Sequence, residues 1–132
     1  MRPITFPYKT YRDLLCPIIL LGLHGPHGWK RTEAYVDSGA SVSIFTVNEA
    51  KRLGIRYETG AERFMTVGDG SLIPVYLHDL PIQIGNRRLS AAIGFSPRLG
   101  VGFNLLGRQD IFSHFDVTFS DIRKRLIFTP VR

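Results

Sequence analysis

The chain holds a single cysteine, Cys16, so no intrachain disulfide can staple it. Nothing then demands an oxidising compartment, and a reducing, cytoplasmic setting is the expectation. Acidic residues are few: 11 Asp and Glu stand against 17 Lys and Arg, giving a net charge of +6. Long apolar runs are missing too. The longest, Leu14 to Leu23, is interrupted by Pro17 and Gly22 and is too short to cross a bilayer as a helix. Pro3, Pro7 and Lys9 break up the stretch where a secretory leader needs continuous apolar residues, so none is expected. Clustered metal ligands are also lacking. His24 and His27 share one glycine- and proline-rich loop, but no Asp, Glu or Cys gathers beside them, so neither a metal nor another cofactor is expected.

What remains is the composition of a globular domain, with 44% hydrophobic and 21% charged residues in 132. That length suffices for one domain with a core, read over residues 1–132, with 1–13 as an N-terminal arm or first strand. The excess positive charge raises the question of nucleic acid. The basic residues are scattered in pairs (Lys30-Arg31, Lys51-Arg52, Arg87-Arg88, Arg123-Lys124-Arg125), each at an expected turn or helix end. They read as solvated punctuation rather than as a nucleic-acid surface.

Along the chain, Leu14 to Leu23 reads as a buried strand, His24 to Gly28 as a loop, and Trp29 to Asp37 as the returning strand. Thr46 and Glu49 have the spacing of a capping box. Val47, Ala50 and Leu53 make an apolar stripe, and Gly54 a C-terminal cap, so a helix bracing the Asp37 loop is expected. Arg63 to Val67 and Leu72 to Leu77 flank Gly68-Asp69-Gly70-Ser71 as a hairpin, with Pro74 marking an edge or overhang. Leu80 to Ile84, Leu89 to Phe95, Phe103 to Leu106, Phe115 to Phe119 and Leu126 to Phe128 read as further strands. Gly94 to Gly102 reads as a loop, and Arg108 to His114 as a turn or second helix. The sum is a mainly β fold, a closed barrel or sandwich with one or two short helices.

One stretch concentrates chemistry. Ala34-Tyr35-Val36 is apolar and β-prone, and it ends abruptly in Asp37-Ser38-Gly39-Ala40-Ser41. A strand that stops this way delivers one carboxylate to the rigid end of a sheet. Ser38 can fix the turn by a local hydrogen bond, and Gly39 permits close backbone approach.

Three motifs together resemble the retropepsin-like (retroviral-type) aspartic proteases. Val36-Asp37-Ser38-Gly39-Ala40 resembles the family's hydrophobic-Asp-Ser/Thr-Gly-Ala signature, and Gly68-Asp69-Gly70 falls where the family has its flap. Leu105-Leu106-Gly107-Arg108 resembles its second motif, two apolar residues followed by Gly and Arg. The resemblance implies an endopeptidase with Asp37 as the catalytic acid, supported by Ser38, Gly39, Ala40, Leu106, Gly107 and Arg108. Thr66, Val67, Gly68, Asp69, Gly70 and Ser71 would form the flap over a peptide or protein substrate. Ser41 stands where many viral members carry an acid that pairs with the motif Arg, so Asp110 or backbone carbonyls are the candidates to hold Arg108. The chemistry needs two carboxylates and the chain has one such motif, so a homodimer is expected, with the chain termini covering the edge of Leu126 to Phe128. The rival reading is a retropepsin-like dimerisation or peptide-binding module without catalysis.

Overall fold

Valine, isoleucine, leucine and phenylalanine at alternate positions make this chain a sheet protein, because each strand then buries one face. The computed structural model describes residues 2–131; Met1, the first residue of the expected arm, and Arg132 lie outside the described residues. The elements in order are β1 (Ile4–Pro7), β2 (Lys9–Tyr11), β3 (Leu14–Cys16), β4 (Ile18–Gly25), β5 (Gly28–Val36), β6 (Ser43–Thr46), α1 (Val47–Leu53), a 3-10 turn (Tyr57–Thr59), β7 (Ala61–Thr66), β8 (Leu72–Ile84), β9 (Arg87–Ser96), β10 (Asn104–Leu106), β11 (Phe115–Ser120) and β12 (Arg125–Pro130).

A seven-stranded sheet runs β4-β5-β10-β6-β9-β8-β7. It curls until β8 meets β4 again through Gly22–Gln83 and Leu23–Ile82. The expected closed barrel is therefore a curled sheet joined by a two-pair seam, not by a full ladder. Leu21, Leu23, Phe45, Ile82, Ile93 and Phe95 fill its interior. Phe115, Leu126 and Phe128, from a second sheet, complete that core.

Several sequence expectations shift. The run Leu14 to Leu23 is not one buried strand. Pro17 has no N–H to donate, and the chain before it turns away as the β2–β3 hairpin, leaving Leu14 68% and Leu15 50% exposed. The His24–Gly28 loop narrows to a two-residue turn, because Gly25 pairs with Gly28 and Gly28 takes φ +88°. Leu72 to Leu77 and Leu80 to Ile84 are one 13-residue strand, β8. Pro74 lies beyond the last β8–β9 pair, Tyr76–Phe95, as an overhang allows. Gly94, read both within the strand Leu89 to Phe95 and at the start of a loop, lies inside β9, packed so close to Val75 that a side chain there would collide. Arg108 to His114 forms successive turns, Ile111 and Phe112 both donating to the Arg108 carbonyl, and no helix.

The helix ends where expected and begins differently. Gly54, left-handed at φ 80°, donates to the carbonyls of Ala50 and Lys51. The capping box does not form: the Thr46 side chain makes no cap bond, and Glu49 instead accepts from Arg52 at 2.7 Å. Thr46 is also the last residue of β6, and its amide donates to Asn104 Oδ1 at 3.0 Å. Nor does α1 brace the Asp37 loop. It packs at the turn end of β4 and β5, where His27 N–H donates to the Leu53 carbonyl (2.9 Å) and Arg52 to that of Arg31 (3.1 Å).

The second sheet has the order β1-β12-β11. Here the expectation of an open C-terminal edge is corrected. Leu126 to Phe128 lie in the central strand, paired to Phe6, Thr5 and Ile4 on one side and to Phe119, Thr118 and Val117 on the other. The chain covers that edge itself, and the free edges belong to β1 and β11. Buried Tyr8 fastens this sheet, its hydroxyl donating to Asp121 at 2.9 Å. Burial, and then the Asp121 carboxylate, push the phenol up to about 12.

Buried Asn104 holds three parts of the chain together. Its amide donates to the Glu33 carbonyl (2.9 Å) and to Thr32 Oγ1 (3.3 Å), while its oxygen takes the Thr46 amide. Replacing it with alanine strands the Thr46 N–H at the start of α1. Asn104→Ala is expected to lower unfolding free energy by about 2–4 kcal/mol, read from urea denaturation.

Candidate functional site

Asp37 follows directly on β5, whose last residue, Val36, is 1% exposed. The Asp37 amide donates to the Leu106 carbonyl at 2.9 Å, so β10 fixes the backbone at the strand exit. The carboxylate is oriented from its own turn: Gly39 N–H donates to Asp37 Oδ1 at 2.8 Å, and Ala40 N–H to the Asp37 carbonyl at 3.2 Å. This is an Asx-type turn, and it leaves Oδ2 without a partner among the described residues.

The loop from Asp37 to Val42 is clamped from below. Strand β10 lies between β5, to which it is parallel, and β6, to which it is antiparallel. Arg108 N–H donates to the Ala40 carbonyl and Gln109 N–H to that of Ser41, both at 2.9 Å. Gly107 N–H donates to buried Ser43 Oγ at 2.9 Å. A side chain at Gly107 would stand 2.9 Å from the Ala40 carbonyl oxygen and closer still to Val42, so only glycine fits.

Across from this loop, the β7–β8 hairpin forms the other wall of a cleft of ≈ 290 Å³. Asp37, Gly39, Ala40, Ser41, Val42, Ile44 and Leu105 line one side, and Met65, Thr66, Val67 and Gly68 the other. Beneath it, Val42, Ile44, Ile73, Val75 and Leu99 form an apolar cluster separate from the main core. The cleft is thus an apolar slot with one carboxylate at its rim.

The hairpin tip is held by its own bonds. Val67 N–H donates to the Ser71 carbonyl, and Gly70 N–H to that of Val67, both at 2.9 Å. The Asp69 carboxylate accepts the Ser71 hydroxyl and also its amide, at 2.8 Å. These two bonds, the hydroxyl first, hold the Asp69 carboxyl below its ordinary value. Behind the loop, Tyr35 stacks on Phe103 at 5.0 Å. Its phenol is pushed up by burial first, and then by neighbouring Cys16, Asp37 and Asp121.

Most of the sequence candidates meet here. Asp37, Gly39, Ala40, Thr66, Val67 and Gly68 share the cleft. Leu106 and Gly107 lie buried beneath the loop, while Asp69, Gly70 and Ser71 stay outside the lining. Ser38 is exposed, and its hydroxyl has no partner among the described residues. Neither candidate holds Arg108. Asp110 accepts the Ala92 amide at 2.9 Å instead, and the exposed Arg108 guanidinium has no partner among the described residues. Leu105, the first residue of the second motif, faces the cleft. Val42 and Ile44 were not anticipated, because β6 itself was missed. Its signal was the alternation Val42-Ser43-Ile44-Phe45, which sends two residues to the cleft, Ser43 to Gly107 and Phe45 to the core. Among the described residues, no group of three His, Cys, Asp or Glu could hold a metal ion.

No family model and no curated protein matches the chain. Solved structures do. A retropepsin-like aspartic protease from Rickettsia conorii is similar with a TM-score of 0.69 and 18% identity, over 96% of this chain and 98% of that one. The EIAV protease complexed with the inhibitor HBY-793 is similar with a TM-score of 0.54 and 20% identity, over 76% of this chain and 88% of that one. The fold is that of the retropepsin-like aspartic proteases.

Two outcomes follow from this geometry. Gly107→Ala is expected to destabilise the chain by about 2 kcal/mol through overpacking against Val42 and Ala40, read from thermal or urea unfolding. The Asp69 bonds to Ser71 persist above the ordinary aspartate range and are lost only as pH falls through the lowered value. The Ser71 amide resonance should therefore shift with a midpoint below that of a free aspartate, and in Asp69→Asn that titration should vanish.

Proposed function

We propose that the chain is an aspartic endopeptidase, active as a homodimer. The observation that carries this reading is one carboxylate, Asp37, fixed at a strand exit beside an apolar slot that a hairpin overhangs. A single carboxylate cannot both take a proton from water and give one to a carbonyl oxygen. Its complement is Asp37 of a second copy, related by a two-fold axis. The two acids share one proton, because like charges held that close do not both ionise.

The ionised Asp37 takes a proton from water, whose oxygen bonds to the scissile carbonyl carbon. The protonated Asp37 of the second copy hydrogen-bonds the carbonyl oxygen as it gains charge. The tetrahedral adduct then breaks its C–N bond as the carbonyl re-forms, and the leaving amine takes the proton that the first Asp37 had accepted from water, which leaves the pair sharing one proton again.

Other residues have supporting roles. Gly39 keeps the cleft wall low enough for the substrate backbone to approach. The Ser38 hydroxyl, bare in one chain, ties the two active loops together in the dimer. The tip from Thr66 to Ser71 acts as the flap, covering the peptide and excluding water. Val42, Ile44, Met65 and Leu105 receive apolar side chains of the substrate. Leu106, Gly107 and Arg108 keep the Asp37 loop in register. For assembly, β1 is guarded by Pro3 and Pro7, whereas β11 offers six residues of edge without a proline. That favours the β11 side for the second copy.

Asp37→Asn should lower peptide cleavage by about a thousandfold or more while leaving the circular dichroism spectrum unchanged. Cleavage by that variant at the parent rate would overturn the reading. Specific activity of the parent should also rise with protein concentration, in step with the dimer fraction seen by analytical ultracentrifugation.

A further inference from the structure

The β4–β8 seam has a second effect, on the outer face of the sheet. It aligns four residues from four adjacent strands in one lateral row: Arg31 on β5, Gly22 on β4, Gln83 on β8 and Arg88 on β9. Cross-strand partners share a face, so Arg31 and Arg88 both stand outward, and both are exposed. Three interstrand steps separate their backbones by roughly 14 Å. Arg31 and Arg88, each from a basic pair that reads as punctuation in the sequence, thus stand on one face.

The row is built rather than loose. Gly22 leaves a gap in the side-chain layer, and the Trp29 ring settles against it; a Cβ at Gly22 would be 3.3 Å from Trp29 Cε3. The Arg88 guanidinium lies over that ring at 4.7 Å from its centroid. Arg88 Nε donates to Gln83 Oε1 at 2.8 Å, and Gln83 Nε2 donates to the Gly85 carbonyl at 2.9 Å. The guanidinium is therefore held in place, yet it faces no carboxylate. The Arg31 guanidinium has no partner among the described residues, since Glu49, which lines a cavity with it, is engaged by Arg52. Glu33, two residues further along that face, is already engaged by Lys9. A shallow cavity of ≈ 470 Å³ opens here, with no acidic residue in its lining and with Leu20 47% exposed beside Trp29.

We propose that this row is a docking site for an extended acidic peptide segment, its carboxylates bridging Arg88 and Arg31 and its apolar atoms resting on Leu20 and Trp29. A pinned guanidinium loses less freedom on binding than a mobile one and presents a fork matched to a carboxylate. Peptide is favoured over single-stranded nucleic acid because such strands bind by stacking bases on open aromatic faces. The one indole here already lies on Gly22 and under Arg88. The site stands at the opposite end of β5 from Asp37. It goes beyond the peptidase reading and does not depend on it.

Trp29 is the sole tryptophan, so its emission reports this site directly. The full chain is titrated at low salt with an end-blocked hexaglutamate, with hexaglutamine as the neutral control and with a thymidine oligonucleotide. A saturable change with hexaglutamate alone is expected. Arg88→Gln and Arg31→Gln should each weaken it about tenfold with unchanged circular dichroism. No saturable response, equal response to hexaglutamine, unaltered affinity in both variants, or tighter binding of the oligonucleotide would overturn the proposal. The readout involves no cleavage, so its failure is distinct from a failure of Asp37 catalysis.

Discussion

The short strand β10 is what the rest of the molecule hangs on. It is three residues long, yet it pairs with β5 on one side and β6 on the other. Its carbonyl at Leu106 accepts the Asp37 amide, and the amides of the two residues after Gly107 donate to the carbonyls of Ala40 and Ser41. These bonds cross between segments some seventy residues apart in sequence, and Asn104 at the start of the strand adds three more. A loop carrying a carboxylate is normally the most mobile part of a fold. Here three backbone bonds from below tie the loop down, so the acid is presented by a rigid support.

That support constrains composition. Gly107 is needed because the Val42 and Ala40 carbonyls occupy the space a Cβ would take. Ser43, with 0% exposure, is tolerated in the interior because its hydroxyl receives the Gly107 amide. The residues around it divide by parity, Val42 and Ile44 toward the cleft and Phe45 toward the core. One strand thus shapes the slot and anchors the loop at once. The separate apolar cluster under the cleft lets the β7–β8 hairpin pack there without drawing on the main core.

Much of this was legible in the sequence, and the failures share a cause. The Asp37 loop, the hairpin tip and the Leu106-Gly107 motif could be read because each has special local chemistry: an acid at a strand end, paired glycines, a glycine after apolar residues. The long strands could be read from alternation. What could not be read depended on contacts made from afar. The capping box has the right spacing, but Thr46 also ends a strand and its amide belongs to Asn104. Strand β6 hid between a motif and a helix. The β2–β3 hairpin turns at Arg12 and Asp13, both at positive φ, without the Asn-Gly or Asp-Gly that normally signals such a turn. The fate of Arg108 was equally hidden, since only the fold assigns Asp110 to the Ala92 amide.

Strand β12 lies between two strands of its own chain. A subunit that pairs both sides of its last strand from its own chain needs no second chain to cover it, so in the proposed dimer folding and association are separate equilibria. A shared acid pair built on such subunits would be governed by abundance. Dilution would part the halves and silence hydrolysis without melting either one, and crowding them together would restore it.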